Sequence, residues 1–90
     1  MKPGSNQNEL IDFPSDHIFK AIGDNRPGFA LSIHKAVSSV IPVPLDALKA
    51  RESGGGKYLS VSVVVRLENR QQLERIYHSL KQVEGVRYLL

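Results

Sequence analysis

Between residues 58 and 67 the chain alternates with a period of two: Leu59, Val61, Val63, Val65 and Leu67 interleave with Tyr58, Ser60, Ser62, Val64 and Arg66. One side of that segment is wholly apolar and the other is mixed, which predicts a long strand with one face on a core. Elsewhere the period lengthens. Phe29, Ile33, Val37 and Val40 recur at spacings of four, four and three, one stripe of a helix that opens near Pro27 and is stopped by Pro42 and Pro44. Pro27 suits the first turn, and Asp24 or Asn25 is placed to accept from its free amides. A second stripe, Leu73, Ile76, Tyr77, Leu80 and Val83, follows Asn69. Asn69 with Gln72 reads as a capping box, and Gly85 closes the helix.

The remaining segments complete the order. Residues 17–22, HIFKAI, predict a first strand that stops at Gly23. Residues 45–52, LDALKARE, are helical by propensity. Their place between two prolines and the run Ser53-Gly54-Gly55-Gly56 predicts instead the first arm of a β-hairpin. Residues 86–90, VRYLL, predict the last strand, and the polar residues 1–12 a flexible arm ahead of a domain over 13–90. The order βαββαβ implies an α+β, two-layer ferredoxin-like sandwich. Both helices lie on one face of a four-stranded antiparallel sheet, with the first and third strands central.

Composition removes whole classes of function. Ninety residues at 41% hydrophobic and 23% charged make one soluble domain. The absence of cysteine excludes disulfides, cysteine-based zinc sites and a thiol nucleophile. Twelve Lys and Arg against nine Asp and Glu leave a net charge of +3 without a basic cluster, which argues against nucleic acid. No apolar run reaches the roughly 18 residues of a membrane span, and the first ten residues hold no signal-like apolar block, so the expected place is the cytoplasm. His17, His34 and His78 lack metal-ligand spacing, so neither metal nor cofactor is expected. The glycines before Lys57 lack the phosphate-loop spacing and precede a strand.

The segment over residues 23–33, GDNRPGFALSI, is the best candidate site: a strand-to-helix turn with glycines that allow close approach and helix amides that favour a small anion. A plainer reading is that Asn25 and Pro27 only cap a helix and the glycines only permit a turn. Asn25-Arg26-Pro27-Gly28, followed by Phe29 and Ile33, resembles the signature of ACT domains, small-molecule sensors of amino-acid-metabolism enzymes such as the serine-sensing domain of D-3-phosphoglycerate dehydrogenase. Over its whole length, through Phe13-Pro14, Lys20, Gly23, Ser60-Val61-Ser62, Val86-Arg87 and a terminal Leu, the chain is similar to the YbeD-like family of small stand-alone ACT-like bacterial proteins. The expected ligand site is the loop of Gly23, Asp24, Asn25, Arg26 and Gly28, with an amino-acid-like or anionic ligand, and the resemblance implies roles in it for Asn25 and for Gly28, the glycine that lets the loop approach the ligand. In it Asn25 matches the effector-binding asparagine, and Gly23 stands where the serine sensor has a histidine. It also implies association of neighbouring sheets, hence a homodimer.

On the free face of the sheet, Lys20, Arg66 and Arg87 form either a docking surface for a partner protein or three solvated charges. The expected function is a non-enzymatic regulatory module that senses a small ligand or docks on a partner. Two alternatives are set beside it. An acylphosphatase-type hydrolase would use Arg26, but it also needs an asparagine that residues 45–52 lack. RNA binding would use the free face, where the third strand offers one aromatic, Tyr58, and the first strand Ile18, Lys20 and Ile22.

Overall fold

The computed structural model describes residues 12–90, so the arm expected over residues 1–12 lies outside it except for Asp12. The elements are β1 (Ser15–Asp24), α1 (Phe29–Ser38), a 3-10 turn (Leu45–Ala47), β2 (Leu48–Ser53), β3 (Tyr58–Leu67), α2 (Arg70–Lys81) and β4 (Val86–Leu89). The strands lie in the order β2-β3-β1-β4, all neighbours antiparallel, with β1 and β3 central. Both helices cover one face, and the fold is the two-layer βαββαβ sandwich that the alternation and stripes predict.

The period-two pattern explains how the layers meet. Val61, Val63, Val65 and Leu67 of β3 are at most 1% exposed, and their neighbours across the ladder on β1 include Phe19 and Ala21. Phe29, Ile33 and Val37 of α1 and Leu73, Ile76 and Leu80 of α2 close over them. Each such large side chain removed from water contributes about 1.5–3 kcal/mol, and together they offset the ordering of the backbone. No buried polar or charged residue interrupts this core among the described residues.

Several boundaries differ from the sequence expectation. β1 runs from Ser15 to Asp24, longer at both ends than residues 17–22, because it pairs with β3 along its whole length, from Ser15 opposite Leu67 to Asp24 opposite Tyr58. Gly23 therefore lies inside the strand. The hairpin arm starts at Leu48, since residues 45–47 turn back on themselves, with the Ala47 amide donating to the Pro44 carbonyl at 3.1 Å. Gly85 does not cap α2, which ends at Lys81. With φ of +94° it shapes the turn into β4. At the other end of α2 the Asn69 side chain accepts from the Gln72 amide at 2.9 Å as expected, while Gln72 reaches back to the Glu68 amide at 2.7 Å, one residue ahead of the cap. No helix of the described residues is long and apolar enough to cross a membrane.

Adjacent residues of β3 give a direct test of this register. Val63 is wholly buried, whereas Val64 is 47% exposed on the other side. Val63→Asp should unfold the domain, because an unpaired buried carboxylate costs several kcal/mol against a total of about 5–15 kcal/mol. Val64→Asp should change stability by less than about 1 kcal/mol. Urea melts of the two variants check this, and equal midpoints would refute the assigned face.

Candidate functional site

The β1–α1 loop is built from short-range constraints. Gly28 turns the chain with φ of 85° and forms the N-cap of α1, the Phe29 amide donating to the Arg26 carbonyl at 3.2 Å and the Ser32 amide to the Gly28 carbonyl at 2.9 Å. The helix thus begins at Phe29, and Pro27 belongs to the turn before it. No side chain caps it, contrary to the expectation for Asp24 or Asn25. The cap position is a glycine, and the two polar residues lie too far ahead of it.

Their side chains have other partners. Asn25 Nδ2 donates to the Gly56 carbonyl at 2.8 Å and the Asn25 amide to the Lys57 carbonyl at 3.1 Å, fastening the loop to the β2–β3 hairpin tip. Arg26 Nη2 meets Glu84 Oε1 at 3.1 Å, in the turn before β4. Asp24 Oδ1 accepts from Arg87 Nε at 2.7 Å, and this bond raises the guanidinium pKa still further above its ordinary value. Gly23 is a packing position. A Cβ there would collide with the Gly85 carbonyl oxygen and lie 2.5 Å from Phe29 Cζ. The loop is thus a junction between three turns, with Gly23, Asp24, Asn25, Arg26 and Gly28 gathered in it.

The opposite, open face of the sheet is organised in rows by the register. Arg66 stands beside Asp16, and Val64 beside Ile18. The next row is Lys49, Ser62 and Lys20, which exchanges backbone hydrogen bonds with Leu90, and the one after it is Arg51, Ser60, Ile22 and Tyr88. A register shift between Ile22 and Gly23 lets Arg87 reach Asp24 on this same face. Of the three cations proposed for this face, Arg66 is 3.5 Å from Asp16 and Arg87 is bonded to Asp24, while Lys20 has no carboxylate partner among the described residues. Sequence reasoning missed Lys49 and Arg51. Their signal was the hairpin itself: once Ser53 pairs with Tyr58, Arg51 must meet Ser60 and Lys49 must meet Ser62.

The histidines are dispersed. His34 Nε2 is 2.8 Å from the Val43 carbonyl oxygen, tying α1 to the segment after it, and His78 is exposed on α2. His17 packs 4.5 Å from the Phe19 ring, with Nε2 3.3 Å from the Tyr77 hydroxyl. Its removal from water lowers its pKa below the ordinary 6.5, and the same burial raises that of Tyr77. No cluster of three or more His, Asp or Glu suited to a metal occurs among the described residues. A shallow groove of about 590 Å³ lies between the end of α1 and α2, lined by Ser39, Glu74, Arg75, His78 and Ser79, and away from both candidate sites.

A βαββαβ sandwich with a glycine-bearing turn between its first strand and first helix is a ferredoxin-like fold of the ACT-like kind. The chain belongs to the DUF493 family, described as proteins of unknown function, whose profile matches residues 8–90, and this is the YbeD-like group that the sequence resembles. It is 36% identical over 85 residues to a UPF0250 protein of Haemophilus influenzae, covering 91% of this chain and 88% of that one. A UPF0250 protein of Idiomarina loihiensis is 34% identical over 82 residues, covering 91% and 92%. Among solved structures, a solution structure of an H. pylori protein aligns with a TM-score of 0.70 at 18% identity, covering 100% of this chain and 96% of that one. The ACT domain of a GTP pyrophosphokinase from Chlorobium tepidum aligns with a TM-score of 0.59 at 15% identity, covering 84% and 97%. Both share the fold.

The two loop glycines should respond differently to a methyl group. Gly28 has open space around its missing Cβ, so Gly28→Ala carries only the left-handed strain of about 1–2 kcal/mol. Gly23→Ala forces Phe29 or the Gly85 carbonyl to move and should cost more, about 2–4 kcal/mol. Calorimetric melts rank the pair, and the reverse order would overturn the packing role of Gly23. His17 supplies a pH test. Its native pKa lies below the unfolded 6.5, so the unfolded chain binds more protons between the two values. The stability it contributes is complete above 6.5 and is lost as pH falls through the native pKa. Urea midpoints across that window should drop as the pH is lowered in the parent and stay flat in His17→Gln. An unchanged slope would show that other groups carry the dependence.

Proposed function

We propose that this chain is a non-enzymatic regulatory module that works by docking a partner protein on the open face of its sheet. The observation that supports it is a contrast between the two candidate sites. In the β1–α1 loop the side chains of Asp24, Asn25 and Arg26 each hold another segment of the same chain. On the open face Ile18 is 61%, Tyr88 65% and Leu90 63% exposed, and the register joins them with Val64 into one apolar strip beside Lys20. Single exposed apolar residues are ordinary, whereas a connected set ringed by charge is the anatomy of a contact surface.

The catalytic alternative has little support in this arrangement. Arg26, the counterpart of an acylphosphatase arginine, is paired with Glu84, and β2 reads LKARES, without an asparagine to orient water. The RNA reading lacks its platform, since the centre of the face is Ser60, Ser62 and Lys20, with Tyr58 and Tyr88 at its margin. Small-ligand sensing at residues 23–28 remains the second reading. It is favoured by the ACT-like fold and by the absence of a side-chain cap on α1, which leaves the positive end of the helix open to an anion. Self-association through the open edges of β2 and β4 belongs with either reading.

Cross-linking the tagged chain in its own cells, then purifying the recovered protein and measuring its affinity directly, tests the main reading. Val64→Asp should weaken that affinity at least about tenfold, and Leu31→Asp, on the exposed side of α1, should leave it within about twofold. The opposite ranking would reject the sheet face. An NMR titration with amino acids and small carboxylates covers the second reading: shifts at the amides of residues 24–29 that vanish in Asn25→Ala would replace docking by ligand sensing.

A further inference from the structure

Counting side chains, the open face carries five cations, Lys20, Lys49, Arg51, Arg66 and Arg87, and two carboxylates, Asp16 and Asp24. Its excess of three equals the formal charge of +3 of the whole chain. Both carboxylates are taken, by Arg66 and Arg87. That leaves Lys20, Lys49 and Arg51 without a carboxylate partner among the described residues, and the register gathers these three around one spot. Lys49 and Lys20 stand in one row on either side of Ser62, two strand spacings or about 10 Å apart. Arg51 stands in the next row, beside Ser60. The two serines are short and half-buried, so they form the floor of a trough along β3 whose walls are long cationic side chains. The trough leads at one end to the apolar pair Val64 and Ile18.

We infer that this trough binds an acidic segment of a partner protein, lying extended along β3, with an apolar residue on Val64 and Ile18 and carboxylates at every second position after it. The inference rests on the docking reading above and names the chemistry of its partner. The spacing follows from the geometry: rows two residues apart on β3 are about 7 Å apart, and so are alternate side chains of an extended peptide. An apolar residue over the Val64 row then places the next same-side residue over Lys49 and Lys20 and the one after it over Arg51. Carboxylates there complete ion pairs that the described residues leave open. A second copy of this chain does not fit, because face-to-face contact would set three cations, each without a carboxylate partner among the described residues, against the same three. A nucleic acid lacks the central aromatics on which its bases would stack.

The test uses the 90-residue chain and two synthetic peptides, one of repeated Leu-Ser-Glu-Ser-Glu and one with every Glu replaced by Gln. Backbone amides are followed by NMR, with single-stranded oligo(U) as a third probe. The glutamate peptide should shift the amides of Lys20, Lys49, Arg51, Ser60 and Ser62. It should bind at least about fivefold more tightly than the glutamine peptide, and weaken at least about fivefold between roughly 50 and 500 mM salt. The double change Lys49→Glu, Arg51→Glu, at exposed positions of an edge strand, should remove the shifts while the rest of the spectrum stays native. Equal binding of the glutamine peptide on the same amides would overturn the acidic class and leave the docking face standing. Shifts from oligo(U) without shifts from the peptide, a dimer that buries these amides, or no shift from either peptide would overturn the inference itself. Failure of the docking reading is seen separately, in an affinity for the cross-linked partner that Val64→Asp does not change.

Discussion

Phe19 faces Val63 across the middle of the sheet, at 1% and 0% exposure, and this pair fixes the phase of the molecule. A strand repeats its side every two residues, so a pairing that buries Phe19 and Val63 also buries Ala21, Val61, Val65 and Leu67. The same pairing turns Ile18, Lys20, Ser60, Ser62 and Val64 outward together. The helices attach to the first set and leave the second bare. A slip of one residue would expose the valines and bury Lys20, which no compensating contact could offset. The open face is in this sense a by-product of core packing, and its composition is fixed by the strands that make the core.

The second organising contact is Phe29 against Gly23. The ring at the start of α1 lies where the Gly23 side chain would be, and the Gly85 carbonyl approaches the same spot and accepts from the Asp24 amide at 3.2 Å. The close approach brings the β1–α1 loop, the hairpin tip and the turn before β4 into one cluster, where Asn25 and Arg26 secure it. A loop with this many internal obligations is poorly free to rearrange around a ligand. The sheet face has fewer: its apolar side chains touch no other layer, and three of its cations lack a carboxylate partner among the described residues. This asymmetry supports the docking reading proposed above, since glycine, asparagine and arginine suit an interior clasp as well as a ligand site.

Edges and ends also divide the chain. β2 is an edge strand with its residues after Leu48 exposed on both sides, and it contributes charge to the face and little to the core. Lys49 and Arg51 gain their importance only from what they stand beside. β4, at the other edge, holds Val86 and Leu89 against the core and presents Arg87 and Tyr88 to the opposite side through the register shift at Gly23. One strand thus serves both layers.

The sequence alone determined the layer architecture, because period-two and helical stripes are direct consequences of backbone geometry and need no tertiary knowledge. It also determined the central places of β1 and β3 and the buried side of each, through connection handedness and the valine alternation. Tertiary structure decided the use of polar residues. Asn25 was legible as a loop asparagine but not as a donor to Gly56, and Asp24, expected as a helix cap, caps nothing and is instead the partner of Arg87. Gly23 read as a stop and is a strand residue shaped by Phe29. The physical reason is one of range. Hydrophobic phase is set within a few neighbouring residues, whereas the partner of a hydrogen-bonding side chain is set by which distant turn the folded chain brings within 3 Å of it.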